Sequence, residues 1–185
     1  MKETGVREKI LETASRLFFE QGYNLTGINQ IIEEADIARG SLYNHFKSKN
    51  DLLISYLRES EVRYFAKLDA FLRPVKDPRK KLLAVFDFRM GLQQHYNFAG
   101  CRFVKLGAEV SRDQTDVLAL VASHKRRFKE VIRSLAQEVE IKPPFTVDTF
   151  TETMFMIMEG ASVIGSFEKS DTQFKEAKRI ISEMV

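Results

Sequence analysis

Apolar residues recur at spacings of three and four along almost the whole chain, which is the periodicity of helices that bury one face. No stretch alternates apolar and polar residues as a half-buried strand would. The pattern therefore predicts an all-α protein. In the first helix, for which Thr4 is the predicted N-cap and Gly22 the stop, the buried stripe consists of Val6, Ile10, Ala14, Leu17 and Phe18.

Capping residues, glycines and prolines divide this pattern into about nine helices. Thr26 is the predicted N-cap of the second helix and Ser48 that of the fourth. Asp77 is predicted to cap the fifth, with Pro78 at its first position, and Ser170 or Asp171 the last. The predicted helices cover residues 4–21, 28–35, 38–46, 48–72, 78–96, 101–110, 113–138, 147–167 and 171–184.

The third predicted helix is too short and too polar to be a core element. Leu42 and Phe46 are four residues apart and share one face. The major groove of DNA admits one helix and is read by side-chain hydrogen bonds. We therefore predict a three-helix helix-turn-helix head that presents hydrogen-bonding groups and flat rings to the groove. The residues that offer them are Arg39, Ser41, Tyr43, Asn44 and His45.

Charge supports this prediction only locally. The chain of 185 residues has a net charge of +3, and its first sixty residues carry eight Lys and Arg against nine Asp and Glu. Between Ile37 and Asn50, however, three basic residues occur and no acidic one. A single cysteine excludes an intramolecular disulfide. The absence of a signal peptide or a membrane-length apolar run predicts a cytoplasmic protein that does not enter membranes.

Residues 6–53 carry a specific spacing of apolar, glycine and hydroxyl positions. This spacing resembles the head of the TetR family of one-component transcriptional regulators. The matching residues are Arg7, Ile10, Leu11, Ala14, Leu17, Phe18, Gly22, Tyr23, Thr26, Ile28, Ile31, Ala35, Ile37, Gly40, Ser41, Leu42, Tyr43, His45, Phe46, Lys49, Leu52 and Leu53.

The resemblance implies a homodimeric repressor that binds a palindromic double-stranded DNA operator and is released by a small molecule. It implies a DNA-binding head at residues 1–47 and an effector-binding and dimerisation body at residues 48–185, joined by helix 48–72. A small tilt of that helix would change the separation of the two recognition helices. Groove-facing positions are implied at Arg39, Gly40, Ser41 and Asn44, and phosphate-contacting positions at Thr26, Tyr43, His45 and Lys49.

Three positions depart from the family pattern. Gly27 lacks a hydroxyl that often meets phosphate, and Ala38 lacks the usual cap of the recognition helix. Asp36 stands where glycine is frequent, but aspartate tolerates the left-handed conformation better than most residues. We therefore expect the turn to form, with changed contact details around it.

The helix at residues 147–167 is apolar on nearly every side, so it requires cover on every side. We expect one face to meet its own domain and another to meet a second subunit. The alternative is a central core helix of a monomer. The predicted dimerisation residues are Phe155, Gly160, Ser162, Val163, Gly165, Phe174, Ala177 and Ile181.

Phenylalanine and methionine are abundant in the body, which favours a cavity for an apolar or amphipathic effector. Ordinary core packing is the alternative for most of these residues. Candidate polar anchors are Arg89, Arg102, His95 and Tyr96. The candidate lining residues are Phe65, Leu68, Phe86, Met90, Phe103, Leu106, Met154, Phe155 and Met158.

Other functions have weaker sequence support. We find no catalytic motif, no phosphate-binding loop and no metal-ligand spacing, so we expect neither an enzyme nor a cofactor. A helical protein-interaction module remains an alternative, as does a redox sensor that uses Cys101. The basic run at residues 124–129 fits a solvated helix face better than a nucleic-acid patch, because Phe128 continues a buried stripe.

Overall fold

The computed structural model describes the backbone of residues 2–185 and the side chains from residue 5 onward. Within this part of the chain the protein consists of nine α-helices without a strand, which confirms the predicted fold class. Each predicted boundary lies within two residues of the observed one. The helices are α1 (Lys2–Glu20), α2 (Ile28–Glu34), α3 (Arg39–His45), α4 (Lys49–Leu72), α5 (Pro78–His95), α6 (Arg102–Glu109), α7 (Thr115–Ala136), α8 (Val147–Glu168) and α9 (Thr172–Glu183).

Most predicted helix starts are made by the residues that the sequence indicated. Asp77 accepts a 2.7 Å hydrogen bond from the N–H of Lys80 at the start of α5. The Ser48 hydroxyl accepts one of 3.1 Å from Asp51 N–H at the start of α4. Of the two candidates for α9, Ser170 accepts from the backbone, at 3.2 Å, while Asp171 makes no side-chain cap. The predicted cap Thr4 lies outside the described side chains.

The prediction that Thr26 caps α2 is wrong. Gly27 occupies the N-cap position, and no side chain caps the helix. The hydroxyl of Thr26 instead donates to the carbonyl oxygen of Gly22 at 2.7 Å. Thr26 lies one residue before the position from which a side chain reaches the first turn of α2.

The chain divides into two compact units. Unit 1 contains the chain through Arg63 together with Arg102–Ala122, and unit 2 contains Tyr64–Cys101 together with Ser123–Val185. Helices α4 and α7 each begin in unit 1 and end in unit 2. The predicted boundary between a DNA-binding head (residues 1–47) and an effector-binding and dimerisation body (residues 48–185) is a functional one, and it stays a prediction.

Each unit has its own apolar core. In unit 1 the first three helices pack together, and the N-terminal half of α4 contributes Leu52, Leu53, Tyr56 and Leu57. In unit 2, α5 and α8 both contact α9 around a cluster that is rich in phenylalanine. The members of the unit 2 cluster with 0% exposure are Leu82, Val85, Phe86, Ile132, Ala136, Phe150, Met154, Met158, Phe174 and Ile181.

Candidate nucleic-acid interface

Helices α2 and α3 form the two arms of a helix-turn-helix. Asp36 between them has φ of 46°, the left-handed conformation that the sequence led us to expect. Leu42 and Phe46 anchor α3 in the core of unit 1 with 0% and 1% exposure. The N-cap Ala38 makes no side-chain bond, so α3 begins with a backbone contact from Ser41 N–H to the Ala38 carbonyl at 2.9 Å.

One side of α3 is open to solvent and carries four of the eight predicted DNA-contacting residues. Arg39 and Tyr43 are exposed and four residues apart, as are Gly40 and Asn44, so the four share one side. No atom lies within 4 Å of where a Gly40 side chain would begin, other than those of α3 itself and its chain neighbours. The remaining two α3 candidates, Ser41 and His45, are half-buried.

Thr26 and Lys49 do not belong to the solvent-open side of α3. Thr26 is fully buried, and its hydroxyl also accepts a 3.3 Å hydrogen bond from Gln21. The predicted phosphate contact of Thr26 is therefore corrected, because its oxygen is enclosed by the head. The ammonium of Lys49 lies 4.1 Å from the ring centroid of Tyr23, and burial lowers the pKa of Lys49 despite the opposing charge of Glu109.

Polar side chains that we did not single out in the sequence hold the head together. Gln21 at the end of α1 donates to Gln30 of α2 at 2.8 Å, and Gln30 donates to Glu34 at 2.9 Å. Arg16 of α1 completes this chain of contacts by pairing with Glu34. The network fixes α2 against α1 by polar contacts, in addition to the apolar packing of the two helices.

Helix α6 contributes to unit 1 through Glu109. Its carboxylate accepts hydrogen bonds from the backbone N–H groups of Tyr23 at 2.6 Å and Asn24 at 3.3 Å. Asn24 in turn donates its side-chain amide to the Glu109 carbonyl at 2.8 Å. At the C-terminal end of α1, the ammonium of Lys105 donates to the carbonyl of Phe19 at 3.3 Å, where a positive charge also suits the helix dipole.

The effector candidates fall into two groups. Phe103 and Leu106 are buried in unit 1, whereas the other seven candidates belong to the apolar core of unit 2 or pack against it. An open cleft of about 430 Å³ in unit 2 is lined by Met90 and by charged residues of α5 and α9. Its charges are paired, since Lys178 lies 2.6 Å from Asp87. The unit 2 candidates therefore share one core, and only Met90 reaches this cleft.

A polar cluster lies inside unit 2. Arg89 is 5% exposed, its Nη1 donates to the Tyr64 hydroxyl at 3.4 Å, and its Nη2 lies 3.6 Å from Glu159 Oε1. Neither Nη2 of Arg89 nor Oε1 of Glu159 makes a hydrogen bond within the described part of the chain. Lys125 binds the other oxygen of Glu159 at 2.5 Å and lies 3.5 Å from the sulfur of Cys101. Burial raises the pKa of Tyr64 to about 12, so its hydroxyl stays neutral.

The other proposed anchors lie elsewhere. The guanidinium of Arg102 belongs to unit 1, where it lies 5.0 Å from the ring centroid of Phe19. His95 and Tyr96 pack edge to face at the end of α5, with ring centroids 4.6 Å apart. Arg89 is thus the one polar-anchor candidate that lies within the buried cluster.

The predicted dimer residues also divide. Ser162, Gly165, Phe174, Ala177 and Ile181 are inside unit 2, which corrects their assignment to a subunit contact. A side chain at Gly165 would approach the Ser170 carbonyl to 2.8 Å, and Ser162 binds Gln93 at 3.0 Å. Phe155 is half-buried, whereas Gly160 and Val163 are exposed.

The exposed side of α8 is apolar. Met156 is 62% exposed, Ile164 43% and Phe167 79%. Together with Gly160 and Val163 they follow helical spacing along one face. We call this set (Met156, Gly160, Val163, Ile164 and Phe167) the α8 stripe. Isolated exposed apolar residues are ordinary, whereas contiguous exposed apolar patches are typical of interaction surfaces.

Comparison with known proteins agrees with this architecture. The family model for bacterial regulatory proteins of the tetR family matches residues 10–56. The HTH-type transcriptional repressor NemR of Escherichia coli K12 is 28% identical over 140 residues, covering 75% of this chain and 69% of the relative. The HTH-type transcriptional regulator LmrA of Bacillus subtilis is 42% identical over 79 residues, 42% of either chain.

Solved structures show the same fold over nearly the full length. A TetR-family transcriptional regulator from Streptomyces coelicolor, SCO4454, has a TM-score of 0.84 at 23% identity and covers 97% of this chain and 89% of that one. The reduced form of Escherichia coli NemR also has a TM-score of 0.84, at 20% identity, and covers 97% of both chains.

The exposed α3 and its buried frame define a helix-turn-helix DNA-binding protein of the transcription-regulator class. Residues 10–56 match the tetR family of bacterial regulatory proteins, and the whole chain has the same fold as the matched TetR-family structures. Among the described residues, no group of three or more His, Cys, Asp or Glu is arranged to hold a metal ion. Nor does any helix in that part of the chain have the length and apolarity needed to cross a bilayer.

Proposed function

We propose that this protein is a cytoplasmic repressor that binds a palindromic operator as a homodimer and leaves it when a small molecule binds unit 2. The observation that carries the proposal is the solvent-open side of α3, held on a buried apolar frame. A short helix with that arrangement fits the major groove, where side chains read base edges.

The DNA contacts follow from the chemistry of that side. Arg39 pairs with guanine and Asn44 with adenine, since each side chain can make two hydrogen bonds to the edge of that base. The open flank of Gly40 lets the backbone of α3 approach the DNA closely. Tyr43 and His45 donate to phosphates and fix the register of the helix. Ser41, which is half-buried, and Lys49, which lies over Tyr23, contribute at the edge of this surface.

The α8 stripe is the proposed contact between two subunits. A two-fold axis brings the same face of each chain together, so an apolar face serves as its own partner. Gly160 leaves room for close approach of the two α8 helices. Dimerisation duplicates α3, as a palindromic site requires.

The effector site is proposed within unit 2, at the polar cluster of Arg89, Glu159 and Lys125. The surrounding core is apolar, so the matching ligand is amphipathic, with an accepting or anionic group that meets Arg89. Such a ligand shifts the equilibrium only if it binds the DNA-incompetent state more tightly. Helices α4 and α7 continue from unit 2 into unit 1, which gives a covalent route for that shift.

The salt dependence of duplex binding tests this proposal against an enzyme or a protein-interaction module. Each phosphate contact contributes roughly −0.9 to the slope of log K against log salt concentration. We expect a steep negative slope, together with retention of one duplex sequence over others at moderate salt. Weak binding without sequence preference would contradict the proposal.

A further inference from the structure

Asn29 and Arg39 are joined on the solvent side of the helix-turn-helix. Nη2 of Arg39, the first residue of α3, donates a 2.6 Å hydrogen bond to Oδ1 of Asn29, the second residue of α2. Both side chains are exposed. The contact crosses the turn, so it fixes an α3 side chain against α2 rather than against its own helix.

The chemistry of this contact suits a residue that must read a base. An arginine guanidinium has five N–H donors in a fixed plane, and one of them serves Asn29, which leaves enough donors for a guanine edge. A free arginine side chain loses much rotamer freedom when it is held in one geometry. Asn29 holds Arg39 before DNA arrives, and preorganisation of this kind lowers the entropic cost of binding.

The choice of an amide also matters. A carboxylate at this position would hold the guanidinium equally well, but it would add a negative charge next to the DNA phosphates. The amide of Asn29 is neutral, so the positive charge of Arg39 remains available to the DNA. The N-cap Ala38 makes no side-chain bond, so it adds no capping contact beside Arg39.

We propose that Asn29 is a positioning residue for sequence recognition, which orients Arg39 toward a guanine in the operator. This assignment rests on the proposed function, because it requires that α3 enters the major groove. It places a determinant of base preference on α2, the helix that does not itself enter the groove.

The test uses the duplex that the wild-type protein selects from random DNA, together with its single-base-pair variants. Arg39→Ala identifies the base pair that Arg39 reads, since discrimination there falls from roughly 10–100-fold to near unity. Asn29→Ala is expected to reduce discrimination at that same base pair several-fold and to leave the other positions unchanged. Added to Arg39→Ala, it should have no further effect, because the two residues act as one unit.

Asn29→Asp is the conservative variant that separates orientation from charge. Its carboxylate keeps the acceptor for Arg39, so base discrimination is retained, while affinity for every duplex falls through phosphate repulsion. A merely structural role of Asn29 would give no selective loss of discrimination at the Arg39 base pair in Asn29→Ala. Thermal unfolding of each variant checks that the exposed substitutions leave the fold intact.

Two outcomes would overturn the assignment while the proposed function stands. One is unchanged discrimination in Asn29→Ala, and the other is a uniform gain in affinity, which would mean that Asn29 restrains Arg39 from the DNA. If the wild-type protein selects no duplex at all, the proposed function fails and the assignment fails with it.

Discussion

The carboxylate of Glu109, the last residue of α6, accepts a 2.6 Å hydrogen bond from the backbone N–H of Tyr23. The adjacent Gly22 has φ of 92°, and a side chain there would approach this carboxylate to 2.8 Å. The glycine therefore serves both the left-handed turn and the close approach of Glu109. The end of α1 is thus held by a residue more than eighty positions later in the chain.

Removal of this carboxylate is expected to loosen the start of the helix-turn-helix. Glu109→Ala leaves the N–H groups of Tyr23 and Asn24 without their partner, which should cost about 1–2 kcal/mol of unfolding free energy. Urea denaturation measures the loss, and hydrogen exchange localises it to these two amides. Glu138→Ala, an exposed change elsewhere, should leave both unchanged. Unaltered protection of the two amides in Glu109→Ala would contradict this role.

Gly40→Ala separates folding from DNA binding. No neighbouring atom obstructs a methyl group at this position, and alanine favours a helix over glycine by roughly 0.5–1 kcal/mol. We therefore expect equal or higher stability, with operator affinity lower by about tenfold, equivalent to about 1.4 kcal/mol. Gly91→Ala, at an equally open position in α5, should gain stability without loss of binding. Unchanged affinity in Gly40→Ala would show that the backbone there is distant from DNA.

A charge in the α8 stripe is expected to separate the subunits. Phe167→Glu and Gly160→Arg place charge on an exposed apolar face, so the folded monomer tolerates them while a dimer buries them at high cost. Light scattering should give the monomer mass, and operator affinity should fall strongly. Val62→Glu alters an exposed valine of α4 and should remain dimeric. If both stripe variants remain dimeric, the subunit contact lies outside the α8 stripe.

Buried His124 predicts a loss of stability in acid. Burial, followed by the charges of Lys125, Arg89 and Arg127, lowers the pKa of His124 to about 3. An unfolded histidine titrates near a pKa of ~6.5, so below that pH the unfolded chain binds more protons. The contribution of His124 is therefore complete above pH ~6.5 and is lost as the pH falls toward ~3.

The size of this effect is measurable by denaturation at two pH values. Between pH 7.5 and pH 5.5 the loss attributable to His124 should be on the order of 1 kcal/mol. His124→Gln should show a correspondingly smaller difference between the two pH values, whatever its absolute stability. His95→Gln, an exposed change at the end of α5, should keep the wild-type difference. If the stability of all three proteins depends equally on pH, His124 is not the source of the pH dependence.

The local fold was predictable because its signals are local. Periodicity and caps such as Asp77 and Ser48 located the helices, since each depends on residues a few positions apart. The exposed side of α3 followed from the same periodicity. The Thr26 prediction was wrong because a hydroxyl next to a helix start can bond to the helix, to a phosphate or to its own turn. Only the fold shows that it bonds to Gly22.

Long-range relationships were not predictable from one sequence. Glu109 and Asn29 gave no local signal, because their partners are set by how helices meet. The apolar residues of α8 and α9 could be assigned to helices, but not to an inner or an outer face. Phe174 and Phe167 both fit the apolar pattern, yet the first is 0% exposed and the second 79%. Packing, rather than composition, makes that distinction.

The most direct test of the central claim is selection of bound duplexes from a random DNA pool by the purified protein. We predict enrichment of one palindrome whose half-sites are centred about one helical turn apart, roughly 10–10.5 base pairs, or a multiple of it. Arg39→Ala should relax one base pair in each half of that palindrome. Failure to enrich any sequence, or enrichment of a single half-site without its repeat, would contradict a dimer that reads DNA with α3.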